Sequence, residues 1–111
     1  MAGRFMRDFN SVSTVFKAFC EPVRLQIIDL LSCREMCACE LLECLSISQS
    51  TLSHHMKILL ESSLIIKRKD ASWSYYSINS DAVKDIHRII EEITQPKEEC
   101  SCLSIKKECK K

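Results

Sequence analysis

Apolar residues recur every three or four positions over residues 5–20 and again over residues 23–31, which is the period of amphipathic helices. Glu21 and Pro22 separate the two segments, and Pro22 suits the first turn of the second helix. The apolar face of the first helix is wide for a short helix at a domain edge. It indicates core packing, packing against a second subunit, or both. Its apolar residues are Phe5, Phe9, Val12, Phe16 and Phe19.

The middle of the chain predicts two helices separated by a short turn. A loop is expected over residues 32–35, followed by a helix that starts near Cys37 to Cys39 and ends at about Leu45. Residues 46–48 form the turn, and Ser48 is a natural N-cap for the next helix.

The second of these helices, predicted over residues 49–62, is called the reading helix below. Its apolar positions are spaced to form one buried stripe, and its opposite side carries hydrogen-bonding side chains. Such side chains suit contacts with base edges and phosphates. The stripe consists of Leu52, Met56, Leu59 and Leu60.

Residues 64–69 and 73–78 are two β-preferring runs joined by a turn at residues 70–72, which predicts a β-hairpin, called the wing below. One run ends in three cations. Two short helices, the reading helix and a basic hairpin in this order predict a mainly α-helical chain with a small β-hairpin. The predicted fold is a winged helix-turn-helix.

A last helix is expected after Asn79, Ser80 or Asp81, any of which can cap it, and Pro96 ends it. Its apolar residues fall on one face. We therefore expect one DNA-binding and dimerisation domain over residues 5–94. Residues 95–111 lack an apolar period and are expected to form a flexible, cysteine-containing tail.

Composition restricts the class of protein. The chain has 111 residues, enough for one small domain, and 46% of them are hydrophobic. No apolar run approaches the ~20 residues that span a bilayer, and the first residues lack the apolar core of a signal peptide. A cytoplasmic location is expected. The net charge is only +1, so nucleic-acid binding must depend on a local patch, which residues 46–69 supply.

Eight cysteines are a high number for a chain of 111 residues. In a reducing cytosol thiols bind metal or sense redox state more often than they form disulfides. Cys37 and Cys39, called the thiol pair below, lie at the start of the helix that precedes the reading helix. Thiolates select soft, thiophilic ions. No Cys-x-x-Cys motif, nucleophile–base arrangement or glycine-rich phosphate loop is present, so an enzyme is not expected.

Four sequence blocks, in order, resemble the ArsR/SmtB family of metal-responsive bacterial repressors. These blocks are residues 16–25 (FKAFCEPVRL), 35–41 (EMCACEL), 48–59 (SQSTLSHHMKIL) and 73–77 (WSYYS). The resemblance implies a homodimer held by the first and last helices. It also implies operator binding without inducer and release when a thiophilic ion binds.

The thiol pair resembles that of arsenite- and antimonite-responsive members and that of the cadmium- and lead-responsive branch. The chain departs from both patterns. Leu42 stands where one arsenite-responsive type has a third cysteine, and residues 1–19 lack the cysteines of the cadmium branch. Asn79 and Ala82 replace ligands of the zinc site on the last helix, and Asp85 and His87 are expected to be solvated surface.

Trivalent arsenic and antimony prefer three sulfurs, so the thiol pair needs a further ligand. Residues 37 and 39 are about 200° apart on a regular helix, so sharing one ion requires a distorted helix start. Cys100 and Cys102 of the tail are the favoured partners. Cys33, Cys44 and Cys109 are weaker alternatives, with a buried, inert role favoured for Cys44 and packing favoured for Cys20.

The DNA contacts follow from the reading helix and the wing, with an imperfect inverted repeat as the expected operator. For each serine a helix-surface role is equally open, and for His55 a structural hydrogen bond is as well supported as a DNA contact. Expected near base edges are Gln49, Ser50, Ser53 and His54. Expected at phosphates are Thr51, His55, Lys57, Lys67, Arg68 and Lys69.

The sequence therefore predicts a dimeric repressor released by arsenite or antimonite. One alternative keeps the repressor and makes cadmium, lead or zinc the inducer. A different class is a cytosolic thiol protein that buffers metal or acts in redox chemistry.

Overall fold

In the computed structural model, residues 8–96 are described, and they form five helices and one three-stranded antiparallel sheet. Helix α1 (Phe9–Phe19) begins after Asp8, whose side chain accepts a hydrogen bond from the backbone N–H of Asn10. Helix α2 (Pro22–Leu31) begins after Glu21 and has proline at its first position, as predicted. The predicted tail lies almost entirely outside the described residues.

The helix-turn-helix consists of α3 (Ala38–Cys44) and the reading helix, α4 (Gln49–Glu61). Ser48 caps the reading helix by accepting a hydrogen bond from the Thr51 N–H at 3.1 Å, which confirms its predicted role. A two-residue strand, β1 (Met36–Cys37), precedes α3 and was not predicted. It pairs with the wing, so the sheet joins the region before α3 to the hairpin.

The reading helix ends in a turn that places a serine in the left-handed region. Ser63 has φ of 67°, and its N–H donates to the Leu60 carbonyl at 3.0 Å. The Leu64 N–H donates to the Leu59 carbonyl at 3.2 Å, which completes a Schellman motif. Glycine usually occupies this position, but the chain has a single glycine, at residue 3.

The wing consists of β2 (Ile65–Asp70) and β3 (Trp73–Ile78), and the strand order is β1-β3-β2. The hairpin was predicted, and its register pairs Asp70 with Trp73 across a two-residue loop. Ala71 in this loop has φ of 58°, again a conformation that favours glycine.

Helix α5 (Ser80–Thr94) is capped by Asn79, whose side-chain oxygen accepts from the Ala82 N–H at 3.4 Å. The Asn79 amide also donates to the Ser63 carbonyl at 2.9 Å, which ties the start of α5 to the end of the reading helix. Asp85 pairs with Arg88 on the surface of α5 at 2.7 Å. Within residues 8–96 no helix is long and apolar enough to cross a membrane.

One apolar core lies between α2, α3, the reading helix and the sheet. Ile27 and Leu41 contribute to it from the first two of these helices. Its most deeply buried side chains are Ile27, Leu41, Leu52, Leu59, Leu64 and Ile65. The predicted stripe of the reading helix is confirmed, with Leu60 only partly buried. Burial of this stripe fixes which side of the reading helix faces solvent.

Candidate thiol site and nucleic-acid interface

The thiol pair lies at the junction between β1 and α3. Cys37 is the N-cap residue of α3 and has an extended backbone, with φ of −91° and ψ of 172°. It is buried, with 8% of its surface exposed. Cys39, in the first turn of α3, is exposed. The 200° separation expected on a regular helix does not apply, because Cys37 precedes the helix. The two thiols instead differ in burial, and both are free.

A carboxylate fixes the backbone at this junction. Glu40 Oε1 accepts a hydrogen bond from the Cys37 N–H at 3.0 Å, and Glu40 Oε2 lies 3.2 Å from Arg34 Nη2. The bond from the Cys37 N–H and the contact with Arg34 lower the pKa of Glu40 below its ordinary value. The start of α3 is therefore held by a charged group near neutral pH.

The other described cysteines do not complete a site. Cys44 is exposed at the end of α3, so the expected burial of this thiol is wrong. Cys20, expected to pack, is also exposed, and its Sγ donates to the Phe16 carbonyl at 3.4 Å. Cys33 is exposed in the loop after α2.

Residues 8–96 hold no group of three or more Cys, His, Asp or Glu side chains arranged to bind a metal ion. The thiol pair therefore lacks a third ligand in the part of the chain that the structure describes. Cys100, Cys102 and Cys109 lie outside the described residues.

The solvent-facing side of the reading helix carries the predicted polar residues. Gln49, Ser53, His54 and Lys57 are exposed, as the apolar stripe predicts. Ser50 and Thr51 are also exposed and form a hydroxyl cluster with Ser48. The Ser48 and Ser50 hydroxyls lie 3.2 Å apart, and the Ser48 hydroxyl donates to that of Thr51 at 2.9 Å.

His55 does not belong to this exposed surface. It is 7% exposed, and its Nδ1 lies 3.1 Å from Arg24 Nη1. Because a guanidinium only donates hydrogen bonds, Nδ1 must be the acceptor, and the ring proton is on Nε2, 3.9 Å from Glu21 Oε1. Burial lowers the pKa of His55 and Arg24 lowers it further, whereas Glu21 acts in the opposite direction. The expected phosphate contact is therefore corrected to the structural hydrogen bond.

The same arginine joins three helices. Arg24 Nε donates to the Ala18 carbonyl at 2.8 Å, and Nη2 donates to the Lys17 carbonyl at 3.4 Å. Glu21 accepts from the N–H groups of Val23 and Arg24, which hold its pKa below the ordinary value although burial raises it. The end of α1, the start of α2 and the buried side of the reading helix thus meet at one guanidinium.

The three cations of the wing have different environments. Lys67 and Lys69 are exposed, and side-chain alternation puts them on the face of the sheet opposite Arg68. Arg68 Nη2 lies 2.6 Å from Glu35 Oε1, and Nη1 lies 3.8 Å from Asp70 Oδ2. The bond to Arg68 lowers the pKa of Glu35. Arg68 therefore has carboxylate partners within the chain, which argues against its expected phosphate contact.

A cleft of about 280 Å³ separates the reading helix from the wing. Ala38, the residue between the two cysteines, lies at one side of it, and Tyr76 of β3 lies at another. The residue between the two thiols, the reading helix and the wing therefore border the same cleft. The residues lining the cleft are Ala38, Gln49, Leu52, Ser53, Met56, Lys57, Leu60, Glu61 and Tyr76.

Comparison with known proteins agrees with this architecture. A family described as bacterial regulatory protein, arsR family, matches residues 21–67. An arsenical resistance operon repressor of Staphylococcus aureus is 41% identical over 99 residues, covering 89% of this chain and 95% of the relative.

Solved structures show the same fold. NolR from Sinorhizobium fredii matches with a TM-score of 0.65 and 32% identity, over 85% of this chain and 94% of that one. An ArsR-like transcriptional regulator from Rhodococcus sp. RHA1 has a TM-score of 0.72 at 21% identity, over 77% and 80% of the two chains. With the winged helix-turn-helix described above, these similarities show that the chain belongs to the arsR family of bacterial regulatory proteins and is a transcriptional repressor.

Proposed function

We propose that this repressor leaves its operator when trivalent arsenic or antimony binds the thiol pair. The observation that carries the proposal is the position of Cys37 and Cys39, two free thiols at the junction of β1 and α3. The next elements along the chain are α3 and the reading helix. An ion held by both thiols acts on the backbone that positions the DNA-reading surface.

The chemistry of the donors supports a soft ion. Thiolates prefer soft ions, and trivalent arsenic prefers three sulfur ligands in a pyramid. Residues 8–96 supply only the thiol pair at this junction. The third sulfur is assigned to Cys100 or Cys102, of the same subunit or of a second one. The relative from Staphylococcus aureus, an arsenical resistance operon repressor, favours arsenic over the cadmium, lead or zinc alternative.

Exposed apolar residues at the two ends of the described chain support a homodimer. Phe9 of α1 is 66% exposed, and Ile90 and Ile93 of α5 are 45% and 44% exposed. Exposed large apolar side chains of this kind mark protein–protein contacts when they lie together. We assign these faces of α1 and α5 to a symmetric dimer interface, in which each residue contacts the equivalent surface of a second copy.

A dimer of this kind would place two reading helices in successive major grooves, about 34–36 Å apart. The side chains assigned to base edges are Gln49, Ser50, Ser53 and His54, which are all exposed. Thr51, Lys57, Lys67 and Lys69 are assigned to phosphates. The operator would then be an imperfect inverted repeat.

The coupling between ion and operator needs only modest energy. A hundredfold loss of operator affinity corresponds to about 2.7 kcal/mol per dimer. The ion must bind the DNA-free conformation more tightly than the DNA-bound one by the same amount, because equal binding shifts no equilibrium. Distortion of the β1–α3 junction in both subunits is a sufficient source for this difference.

The proposal is tested by fluorescence anisotropy on labelled DNA from the chain's own promoter region, titrated with arsenite, antimonite, cadmium and zinc. Arsenite and antimonite should release the wild-type chain. Replacing Cys37 and Cys39 by serine should leave operator binding intact and abolish release. The matched control replaces the exposed Cys33 and Cys44 by serine and should respond like the wild type. If cadmium but not arsenite releases the wild-type chain, the inducer belongs to the cadmium, lead and zinc class. If arsenite still releases the Cys37→Ser, Cys39→Ser variant, the ion binds at a site other than the thiol pair.

A further inference from the structure

A bidentate ion pair links the segment before the thiol pair to the wing. Arg68 Nη2 lies 2.6 Å and Arg68 Nε lies 3.2 Å from the two carboxylate oxygens of Glu35. Two parallel bonds between a guanidinium and a carboxylate fix orientation as well as distance. Glu35 is two residues from Cys37, and Arg68 is in the middle of β2. The pair therefore bridges two segments that are 33 positions apart in sequence.

Strand pairing makes a second connection between the same two places. Cys37 pairs with Tyr75 of β3, and Tyr75 pairs with Arg68 of β2. Directly paired residues lie on the same face of a sheet, so these three form one row across the three strands. The Arg68 guanidinium lies 4.9 Å from the centre of the Tyr75 ring. Strand pairing thus connects Cys37 to Arg68 through Tyr75. The ion pair connects Arg68 to Glu35, which lies two residues before Cys37 in the chain.

These contacts lie on one face of the wing, and the remaining cations of the wing lie on the other. Alternation puts Lys67 and Lys69 on the opposite face from Arg68, together with Tyr76. Tyr76 lines the cleft against the reading helix. With Glu35 bound to Arg68, the face that carries both lysines is the face turned toward the side of the reading helix.

Binding of one ion by both thiols must bring together two sulfurs that differ in burial. Sulfur–metal bonds are about 2.3 Å long, so two sulfurs on one ion lie within roughly 4.6 Å of each other. Cys37 is buried on the row described above, whereas Cys39 is exposed in the first turn of α3. Outward movement of the Cys37 sulfur acts on β1, whose two residues both pair with β3. Inward movement of the Cys39 sulfur acts on the first turn of α3, which begins directly after β1.

We infer that Glu35 and Arg68 are positioning residues that transmit occupancy of the thiol pair to the wing. Ion binding displaces β1, breaks the row Cys37–Tyr75–Arg68 and frees the wing from Glu35. Lys67 and Lys69 then lose their fixed orientation beside the reading helix. This inference rests on the proposed function and adds a second output to it, because the wing responds as well as the reading helix.

The first test compares operator affinity with and without sodium arsenite in full-length variants. The ratio of the two affinities is the coupling factor. Arg68→Met and Glu35→Gln should each lower the coupling factor about tenfold, while arsenite binding, measured by equilibrium dialysis, is retained. Both side chains are about half exposed, so these variants should fold. Exchanging the charges, with Glu35→Arg and Arg68→Glu together, should restore part of the coupling.

Arg88→Met is the matched control, because it removes the arginine of another exposed ion pair, with Asp85 at 2.7 Å, on α5 instead of the wing. It should leave operator binding and the coupling factor unchanged. A merely structural role for Arg68 would change affinity or stability and leave the coupling factor at its wild-type value.

The second test needs no DNA. Trp73 is the single tryptophan of the chain, and it begins β3 at the tip of the wing with 53% exposure. Arsenite should change its fluorescence in the wild-type chain. The change should be absent in Cys37→Ser and strongly reduced in Arg68→Met that still binds arsenite.

Different results would overturn the proposed function and the role of Glu35 and Arg68. If arsenite, antimonite, cadmium and zinc all leave the wild-type operator complex intact, the proposed function is wrong, and the inference is wrong with it. If arsenite releases the wild type and also releases Arg68→Met and Glu35→Gln with an unchanged coupling factor, only the inference is overturned. An unchanged Trp73 signal in an arsenite-loaded wild-type chain would likewise overturn it.

Discussion

The guanidinium of Arg24 should contribute more to stability than any exposed ion pair of this chain. It donates to the Ala18 carbonyl at 2.8 Å and contacts the buried His55 Nδ1 at 3.1 Å. Arg24→Met keeps most of the apolar stem and removes every donor. Hydrogen bonds from charged groups contribute about 1.5–3 kcal/mol each, and a buried acceptor left unpaired costs about 1–3 kcal/mol. Because such terms are not additive, we expect a total loss of about 3 kcal/mol.

The loss is measured by urea denaturation followed by far-UV circular dichroism at neutral pH. All variants must be compared at one protein concentration, because the proposed dimerisation would make apparent stability depend on concentration. The same variants can be compared by thermal unfolding. For a domain of this size, 1 kcal/mol shifts the Tm by about 4–8 °C, so the Tm of Arg24→Met should be roughly 12 °C or more below that of the wild type.

Arg88→Met provides the matched control. Arg88 is also an arginine in an ion pair, with Asp85 at 2.7 Å, but its side chain is 58% exposed. Exposed pairs contribute about 0–1 kcal/mol, so this variant should stay close to the wild type. In a His55→Leu background, Arg24→Met should cost at least about 1 kcal/mol less, since no buried acceptor is then left without a donor. Equal small losses for Arg24→Met and Arg88→Met would show that the contacts of the Arg24 guanidinium do not stabilise the fold.

Three further predictions concern the wing loop, pH and DNA specificity. Ala71→Gly should raise the free energy of unfolding by about 1 kcal/mol, because an L-residue at φ 58° carries a steric cost that glycine lacks; Ser72→Gly should give no such gain in the same urea assay. Burial lowers the pKa of His55, so the unfolded chain binds a proton first as the pH falls. This contribution to stability is complete above about pH 6.5 and decreases below it; a pH series in which His55→Gln shows the same decrease as wild type would contradict this assignment. His54→Ala should weaken operator binding more than nonspecific binding, whereas Lys67→Ala should weaken both and flatten the salt dependence; equal losses for the two variants would remove the base-reading role of His54.

Much of the fold follows from patterns within short stretches of sequence. Helices, caps and the hairpin were predictable because periodicity and capping are local properties. The strand Met36–Cys37 was missed because two residues have no period. The burial expected for Cys44 was wrong because α3 ends at that residue, so its side chain lies at the exposed end of the helix.

The environment of individual site residues depended on tertiary contacts. His55 is held by an arginine 31 positions earlier, and Arg68 by a glutamate 33 positions earlier. Neither separation leaves a signal in a single sequence. The alternation of side chains in the wing does predict that Arg68 faces away from Lys67 and Lys69. It does not predict that Glu35 is the partner of Arg68 on that face.

The most direct test of the account is the arsenite affinity of the full-length repressor when it is free and when it is bound to its operator. Thermodynamic linkage requires that arsenite and operator weaken each other by the same total factor. If two ions per dimer together lower operator affinity about a hundredfold, each should bind the operator complex about tenfold more weakly than the free dimer. Equal arsenite affinity in the two states would contradict the claim that the thiol pair of Cys37 and Cys39 controls DNA binding.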